Sequence, residues 1–429
     1  MLIIAKKGIK QLKNIDETLK EASKCLNCKN PSCKKGCPIE TNIPEFILEI
    51  KNRNFSKAYE ILQENNLMSD ICSIICPAEE QCTGNCIKGI KDKPIPINKL
   101  EKFINEWAKE NNIQYDIKIN NNINRKIAVI GAGPAGIACS IALRKAGADV
   151  TIFEKEEKCG GILEYGIPDF RLPKEMVTNI VKRMSDLGIK IENNKELGKD
   201  ITIDSLKNEG FDNIFLGIGA QNQTTYKLTD KPKKSILTSD ELLKKYNKKE
   251  KMEYLGITVV IGGGNVAFDS ARVAIRMGAK KVYVLYRRNE ELMPVRQIEF
   301  KEAIEDGVNV IFQTKVVSAK VNNNKIEYIE CIKTKIENDK AINIENSNYR
   351  MKADTIIFAI GSKTNEQLLN SLGINTHNGL ASVDENYMTN IDGVYAGGDL
   401  VESKSYVARA IATGKKAAKS ILNRKESDK

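Results

Sequence analysis

The chain contains a single histidine, His377, among 429 residues. That scarcity disfavours histidine-based acid–base catalysis, a Ser–His nucleophile pair and a histidine-rich metal site. No stretch approaches the roughly 18 consecutive apolar residues that a membrane-spanning helix needs. The apolar run in MLIIAKKGIK is too short for a secretory signal and lacks a small-residue cleavage site, so a cytoplasmic location with no membrane association is expected. No basic run is interleaved with stacking aromatics, and no nucleic-acid partner is expected. The net charge of +11 reads as lysine-rich solvated faces. The alternative is a docking surface for an acidic redox partner.

What the chain does have is cysteine in one place. Eight of its eleven cysteines fall between Cys25 and Cys86, leaving Cys139, Cys159 and Cys331 scattered. In a cytosolic protein such a cluster points to metal rather than disulfides. The first run is Cys25, Cys28, Cys33 and Cys37; the second is Cys72, Cys76, Cys82 and Cys86. Thiolates this dense suit soft metals, with structural zinc as the alternative to iron–sulfur. Both runs contain Cys-Pro, as bacterial ferredoxin-type runs do. Short helical patterns such as FILEIKNRNFSKAYEILQE surround them, and the Asn-rich stretch NNIQYDIKINNNIN reads as a linker.

From Arg125 onward strands alternate with helices, implying a parallel α/β sheet. KIAVIGAGPAGIACSIALRKAGADVTIFEK and ITVVIGGGNVAFDSARVAIRMGAKKVYVLYRR are two copies of one βαβ nucleotide-binding unit. In the first, Gly131, Gly133 and Gly136 supply the tight turn, the backbone approach to a pyrophosphate and the helix–strand contact. Glu154 ends the next strand, placed to accept hydrogen bonds from a ribose diol. In the second, Gly262, Gly264 and Ala267 repeat the pattern, but the strand ends in Arg287 and Arg288. A guanidinium there binds a 2′-phosphate and a carboxylate would repel it, so NADPH is expected over NADH. The first unit is then expected to hold FAD. The later AGGDL turn supports this, with Gly398 and Asp399 near the ribityl chain and the positive end of the following helix toward the flavin.

The order of these motifs resembles disulfide-reductase-like flavoproteins, in which the NADPH domain is inserted into the FAD domain. Unlike those that act on disulfides, this chain has no Cys-x-x-Cys after residue 100, so its electrons need another exit. The two cysteine runs, GAGPAG, GGILEYGIPDFRLPK and GGGNVAFDSAR together resemble the small (beta) subunit family of NADPH-dependent glutamate synthase. That family is related to the N-terminal region of dihydropyrimidine dehydrogenase and to the large subunit of NADH-dependent ferredoxin:NADP oxidoreductase. The resemblance covers nearly the whole chain.

The resemblance implies an α/β fold with a helical iron–sulfur domain over 1–122. An FAD domain over 123–245 and 351–429 follows, interrupted by an NADPH domain over 246–350. It implies two [4Fe–4S] clusters in crossed ligation. One takes Cys25, Cys28, Cys33 and Cys86; the other takes Cys37, Cys76, Cys82 and Glu101, leaving Cys72 as a buried spare. By the same resemblance Ala132, Glu154, Gly161, Ile162, Arg171 and Asp399 contact FAD. Gly264, Asn265, Val266, Arg287, Arg288, Arg296 and Ala359, Ile360 and Gly361 line the NADPH site. No catalytic side chain is implied, because hydride passes between cofactors. Electrons would leave through the clusters to a larger subunit or a ferredoxin in a hetero-oligomer. The chain has no room for an amidotransferase domain or an FMN barrel. The alternatives are the NADP-binding subunit of a ferredoxin-linked bifurcating transhydrogenase or sulfide dehydrogenase, and, in another class, a redox-sensing binding module.

Overall fold

The computed structural model describes residues 15–120, 123–230, 234–252, 254–403 and 406–424. The chain forms two compact units. One takes the chain up to Gly161, Arg171–Gly219 and the chain from Glu366 onward; the other takes Ile162–Phe170 and Ala220–Asn365. The second is therefore an insertion within the first.

The first unit begins with a helical region that carries the cysteines. Helices Ile43–Lys51, Phe55–Asn65, Ser69–Ile75 and Ile97–Glu110 alternate with short turns. Their apolar faces recur at helical spacing, so Phe46, Ile47, Ile50, Leu62, Leu100 and Ile104 meet in one core. Phe55 sits edge-on to both Phe103 and Trp107, at 5.5 and 5.4 Å between ring centres. Cys25, Cys33, Cys37, Cys82 and Cys86 pack against this core from its side.

A five-stranded parallel sheet follows, in the order Val394–Ala396, Asn213–Leu216, Lys126–Ile130, Asp149–Glu154, Lys190–Asn193. The central strands are almost wholly buried, as parallel strands covered on both faces must be. Helix Pro134–Lys145 starts with Gly133 as N-cap and proline in the first turn, where a missing N–H costs nothing. It ends at Gly147, whose φ of +99° closes the turn. Helix Val407–Asn423 lies against it. A Cβ at Gly414 would stand 2.2 Å from the carbonyl oxygen of Ala135, so the two helices touch backbone to backbone there.

The second unit repeats the design with strands Ile236–Thr238, Thr355–Phe358, Ile257–Ile261, Lys281–Leu285 and Asn309–Ile311, all parallel. It is wider than the 246–350 span expected from sequence. The buried strand TIIF at 355–358 pairs on one side with Ile257–Ile261 and on the other with Ile236–Thr238, which draws both flanks into this unit. An antiparallel sheet of Thr314–Asn322, Lys325–Glu337, Lys340–Asn343 and Tyr349–Met351, not expected from the sequence, also belongs to this unit. Its hairpins turn on Asn323-Asn324 and Asn338-Asp339. All four residues have positive φ, as two-residue hairpin loops of this hand require. Among the described residues, no helix is long and apolar enough to cross a membrane.

Candidate functional site

The first glycine-rich turn is built by close approach. A Cβ at Gly136 would lie 1.9 Å from the carbonyl oxygen of Gly131, so only glycine lets helix Pro134–Lys145 start this near the strand. A Cβ at Gly133 would meet nothing within 4 Å. That open side faces the start of the helix, where free N–H groups favour an anion. Glu154 is 5% exposed and holds the turn in place. Its Oε2 accepts the Ala132 N–H at 2.7 Å and its Oε1 accepts the Glu156 N–H at 2.9 Å. Burial pushes the Glu154 carboxyl up, and those two N–H groups pull against it.

Gly160 donates its N–H to the Ala132 carbonyl at 2.8 Å, and a Cβ at Gly161 would stand 2.9 Å from the Gly133 Cα. Gly398 closes the same neighbourhood: a Cβ there would meet the Ala135 methyl at 3.0 Å. Its N–H donates to Thr413 Oγ1 at 2.8 Å, and the Thr413 hydroxyl donates to the Ala410 carbonyl at 2.9 Å. Asp399 follows in a half-buried turn. Gly131, Ala132, Gly133, Gly136, Glu154, Gly161, Gly398 and Asp399 thus gather around one turn. Arg171 is half-buried in the same unit, whereas Ile162 is exposed and belongs to the second unit. Thr413 went unnoticed in the sequence; its only signal is its spacing from the AGGD turn.

The second turn repeats this geometry. The Gly262 N–H reaches the Leu285 carbonyl at 3.2 Å, and a Cβ at Gly262 would lie 2.2 Å from the Ala359 oxygen. The Ala359–Gly361 segment is thereby closed on the turn. Gly264, like Gly133, faces open space. Asn265 Oδ1 accepts the Arg296 N–H at 2.9 Å. Val266 and Ile360 are exposed although apolar. Arg287 is exposed and Arg288 half-buried. Their backbones are anchored, since the Arg287 carbonyl accepts the Thr334 hydroxyl at 2.7 Å and the Arg288 carbonyl accepts the Gln313 N–H at 3.0 Å. The Arg288 Nε is buried with no hydrogen-bond partner among the described residues. A buried, unmatched guanidinium N–H fits an anion that is supplied by a ligand. The Arg296 side chain is buried and lies 3.7 Å from Glu299, which also faces Arg272 at 3.8 Å.

In the helical region, Cys25, Cys28, Cys33 and Cys86 line one cavity, whose remaining walls include Ile43, Ile47, Ile95 and Ile97. Burial, with the neighbouring Cys86, Cys25 and Cys28 adding and the Lys34 N–H opposing, pushes the Cys33 thiol up to about 11. Cys37, Cys82 and Glu101 form a second neighbourhood. Burial raises Cys37, with Glu101 adding to it, and pushes Cys82 up to about 12, with Glu101 and Cys37 adding. Burial and the nearby Asp70 push the Glu101 carboxyl up to about 8. Cys76 caps helix Ser69–Ile75 beside the buried Cys72. Cys72 Sγ accepts the Asn66 Nδ2–H at 3.3 Å and also senses Glu101. Among the described residues, no three such side chains close on a single point as they would on one ion. Four thiols spaced around an apolar cavity fit a polynuclear cluster, in which each sulfur meets its own iron. Thiols held protonated by burial give up their protons when a metal binds.

Cys139, Cys159 and Cys331 are buried and unpaired. None forms the redox pair of a disulfide reductase.

Comparison with known proteins agrees with this division. Residues 125–419 match the family described as pyridine nucleotide-disulphide oxidoreductase, and residues 5–113 match dihydropyrimidine dehydrogenase domain II, 4Fe-4S cluster. The glutamate synthase [NADPH] small chain of Escherichia coli K12 is 30% identical over 94% of this chain and 90% of its own. The NAD-dependent dihydropyrimidine dehydrogenase subunit PreT of the same strain is 32% identical over 94% of this chain and 93% of its own. Among solved structures, Mycobacterium tuberculosis FprA in complex with NADPH superposes with a TM-score of 0.58. Its sequence identity is 15%, over 70% of this chain and 84% of that one. Thioredoxin reductase of T. acidophilum gives 0.54 at 18% identity, over 70% and 98%. These likenesses carry the fold. The chain belongs to the pyridine nucleotide-disulphide oxidoreductase family, as an FAD- and iron–sulfur-dependent enzyme of the glutamate synthase small-subunit type that uses a nicotinamide dinucleotide.

Proposed function

We propose that this protein oxidises NADPH in the cytoplasm and delivers the electrons singly to a larger partner subunit or a ferredoxin. FAD held at the first glycine-rich turn would supply hydride acceptance from the nicotinamide, and [4Fe–4S] clusters held by the cysteines would supply one-electron transfer. The chain's residues bind and orient. Gly133 opens the start of helix Pro134–Lys145 to the FAD pyrophosphate, Gly131, Ala132 and Gly136 form the turn beneath it, Glu154 accepts from a ribose diol, and Gly161, Ile162, Arg171, Gly398 and Asp399 complete that site. Gly262, Gly264, Asn265 and Val266, with Ala359, Ile360 and Gly361, receive NADPH. Arg287 and Arg288 take its 2′-phosphate, which the unmatched buried Nε of Arg288 supports. Arg296 shapes the pocket from its pair with Glu299.

The observation that carries the cluster reading is the company of Cys86. It shares a cavity with Cys25, Cys28 and Cys33 from the far end of the region, while Cys37 lies beside Cys82 and Glu101. We assign Cys25, Cys28, Cys33 and Cys86 to one cluster and Cys37, Cys76, Cys82 and Glu101 to the other. Cys72 stays a buried packing residue tied to Asn66. Exposed Leu26 and Ile87 border the first cavity, with exposed Lys29, Lys35, Lys91 and Lys93 on the same two segments. An acidic electron acceptor suits that surface.

The test is iron, acid-labile sulfide and electron paramagnetic resonance on anaerobically purified variants. Cys86→Ser and Cys37→Ser should each remove a different one of two signals. Loss of the same signal from both would sink the crossed assignment. Loss of a cluster in Cys72→Ser but not in Glu101→Ala would exchange the roles of those two residues.

A further inference from the structure

One side-chain chain runs from the C-terminal helix to a cysteine of the second cluster site. Lys415, on helix Val407–Asn423, donates from Nζ to the Asn65 carbonyl at 2.7 Å and to Asn65 Oδ1 at 3.1 Å. The Asn65 Nδ2 donates to the Ile39 carbonyl at 3.3 Å and to Thr41 Oγ1 at 3.2 Å. Thr41 Oγ1 lies 3.5 Å from Cys37 Sγ, and Thr41 is 7% exposed.

The donor inventory sets the direction of every bond. An ammonium only donates, so the oxygen of the Asn65 amide must face Lys415. Both amide hydrogens then point to Ile39 and Thr41. Thr41 Oγ1 accepts one of them, which leaves its own hydrogen for the Cys37 sulfur once that sulfur is a thiolate. A reversed amide would set NH2 against the ammonium and leave two acceptors unmatched. The ammonium itself is held at the C-terminus of helix Phe55–Asn65, where carbonyls favour cations. Lys145 joins it there, donating to the Glu64 carbonyl at 3.3 Å. Burial and Lys145 push the Lys415 ammonium's pKa down, and Cys37 and Glu40 pull it back up.

We propose that Lys415, Asn65 and Thr41 act as a positioning relay that raises the reduction potential of the cluster held by Cys37. Hydrogen bonds and positive charge at a ligand sulfur stabilise the form carrying the extra electron. The relay starts on the helix whose Gly414 touches Ala135 of the first dinucleotide turn, so the same helix supports the flavin site and tunes one of the clusters. This rests on Cys37 being a ligand, as proposed above.

The test is a redox titration of the holoprotein followed by electron paramagnetic resonance, with both clusters read separately. Lys415→Met and Thr41→Val should each lower the midpoint of one cluster by about 60 mV, a tenfold change in its one-electron equilibrium. The other cluster should not move, and Lys415→Arg should restore the wild-type value. The double variant should shift by less than the sum of its parts, because the lysine acts through the threonine. Unchanged midpoints, or equal shifts in both clusters, would overturn the relay. Retention of both signals in Cys37→Ser would instead refute the ligand assignment and leave the titration result separately readable. Thermal unfolding of each variant separates a shifted potential from a damaged domain.

Discussion

The sharpest consequence at the scale of single residues concerns Arg288. Its carbonyl is fixed by Gln313 and its Nε is buried without a partner among the described residues, so the side chain is held ready for an anion. A hydrogen bond to a charged group contributes about 1.5–3 kcal/mol. Arg288→Ala should therefore reduce kcat/KM for NADPH by roughly 10- to 100-fold, with NADH kinetics close to wild type. Steady-state rates with both dinucleotides and an artificial acceptor measure this. Equal losses with both would show that Arg288 supports the pocket rather than reading the phosphate. The pair Arg287-Arg288 was legible in the sequence because strand ends are easy to locate. The pairing of Arg296, the N-cap of helix Gln297–Glu305, with Glu299 in its first turn was not, since spacing alone does not say which carboxylate a guanidinium takes.

Two contacts between elements invite tests of their own. Helices Pro134–Lys145 and Val407–Asn423 meet where a Cβ at Gly414 would fall 2.2 Å from Ala135 oxygen. Gly414→Val should cost about 1–3 kcal/mol through overpacking and lower FAD content, read by unfolding and by flavin absorbance of the purified protein. Full FAD occupancy would show that the helix pair yields without disturbing the turn.

The second case is the charged seam of helix Asn265–Arg276. Asp306 accepts from Arg272 Nε at 2.7 Å and from Arg276 at 2.8 Å. Both guanidinium groups also stack on Phe170. Burial pushes the Asp306 carboxyl up, but the two arginines outweigh it and hold it below its ordinary 3.8. A lowered folded pKa means that the unfolded chain takes up the proton first. The stabilisation is thus complete above pH 3.8 and is lost as pH falls through the lower folded value. Acid unfolding curves should show this loss in the wild type and a flatter limb in Asp306→Asn. Identical acid limbs would remove the linkage.

For the whole molecule, the two parallel sheets and the helical region differ in what holds them together. The sheets bury continuous runs of valine and isoleucine and need no cofactor to form a core. The helical region places five half-buried cysteines against its core and leaves a cavity among four thiols. Its stability is therefore tied to metal. Removing iron with a chelator under reducing conditions should raise hydrogen exchange across residues 25–37 and 72–86, and leave strands Lys126–Ile130 and Ile257–Ile261 protected. Mass spectrometry of exchanged peptides decides it; uniform protection in both states would mean that the fold of this region is independent of the cluster.

Sequence alone determined the class of chemistry. Glycine spacing, strand-end residues and cysteine runs are local features, set by the backbone within one turn or one motif, so they can be read without coordinates. Both βαβ units followed from them, and the inserted order from the family resemblance that the motifs carry. The antiparallel sheet over 314–351 escaped because its hairpins turn on Asn-Asn and Asn-Asp rather than on glycine. Only the tertiary structure decided which thiols share a cavity, that Ala359 and Gly398 close on the two turns, and that Lys415 reaches Cys37 through Asn65 and Thr41. Those relations join residues far apart in the chain. Packing creates them, and no local pattern records them.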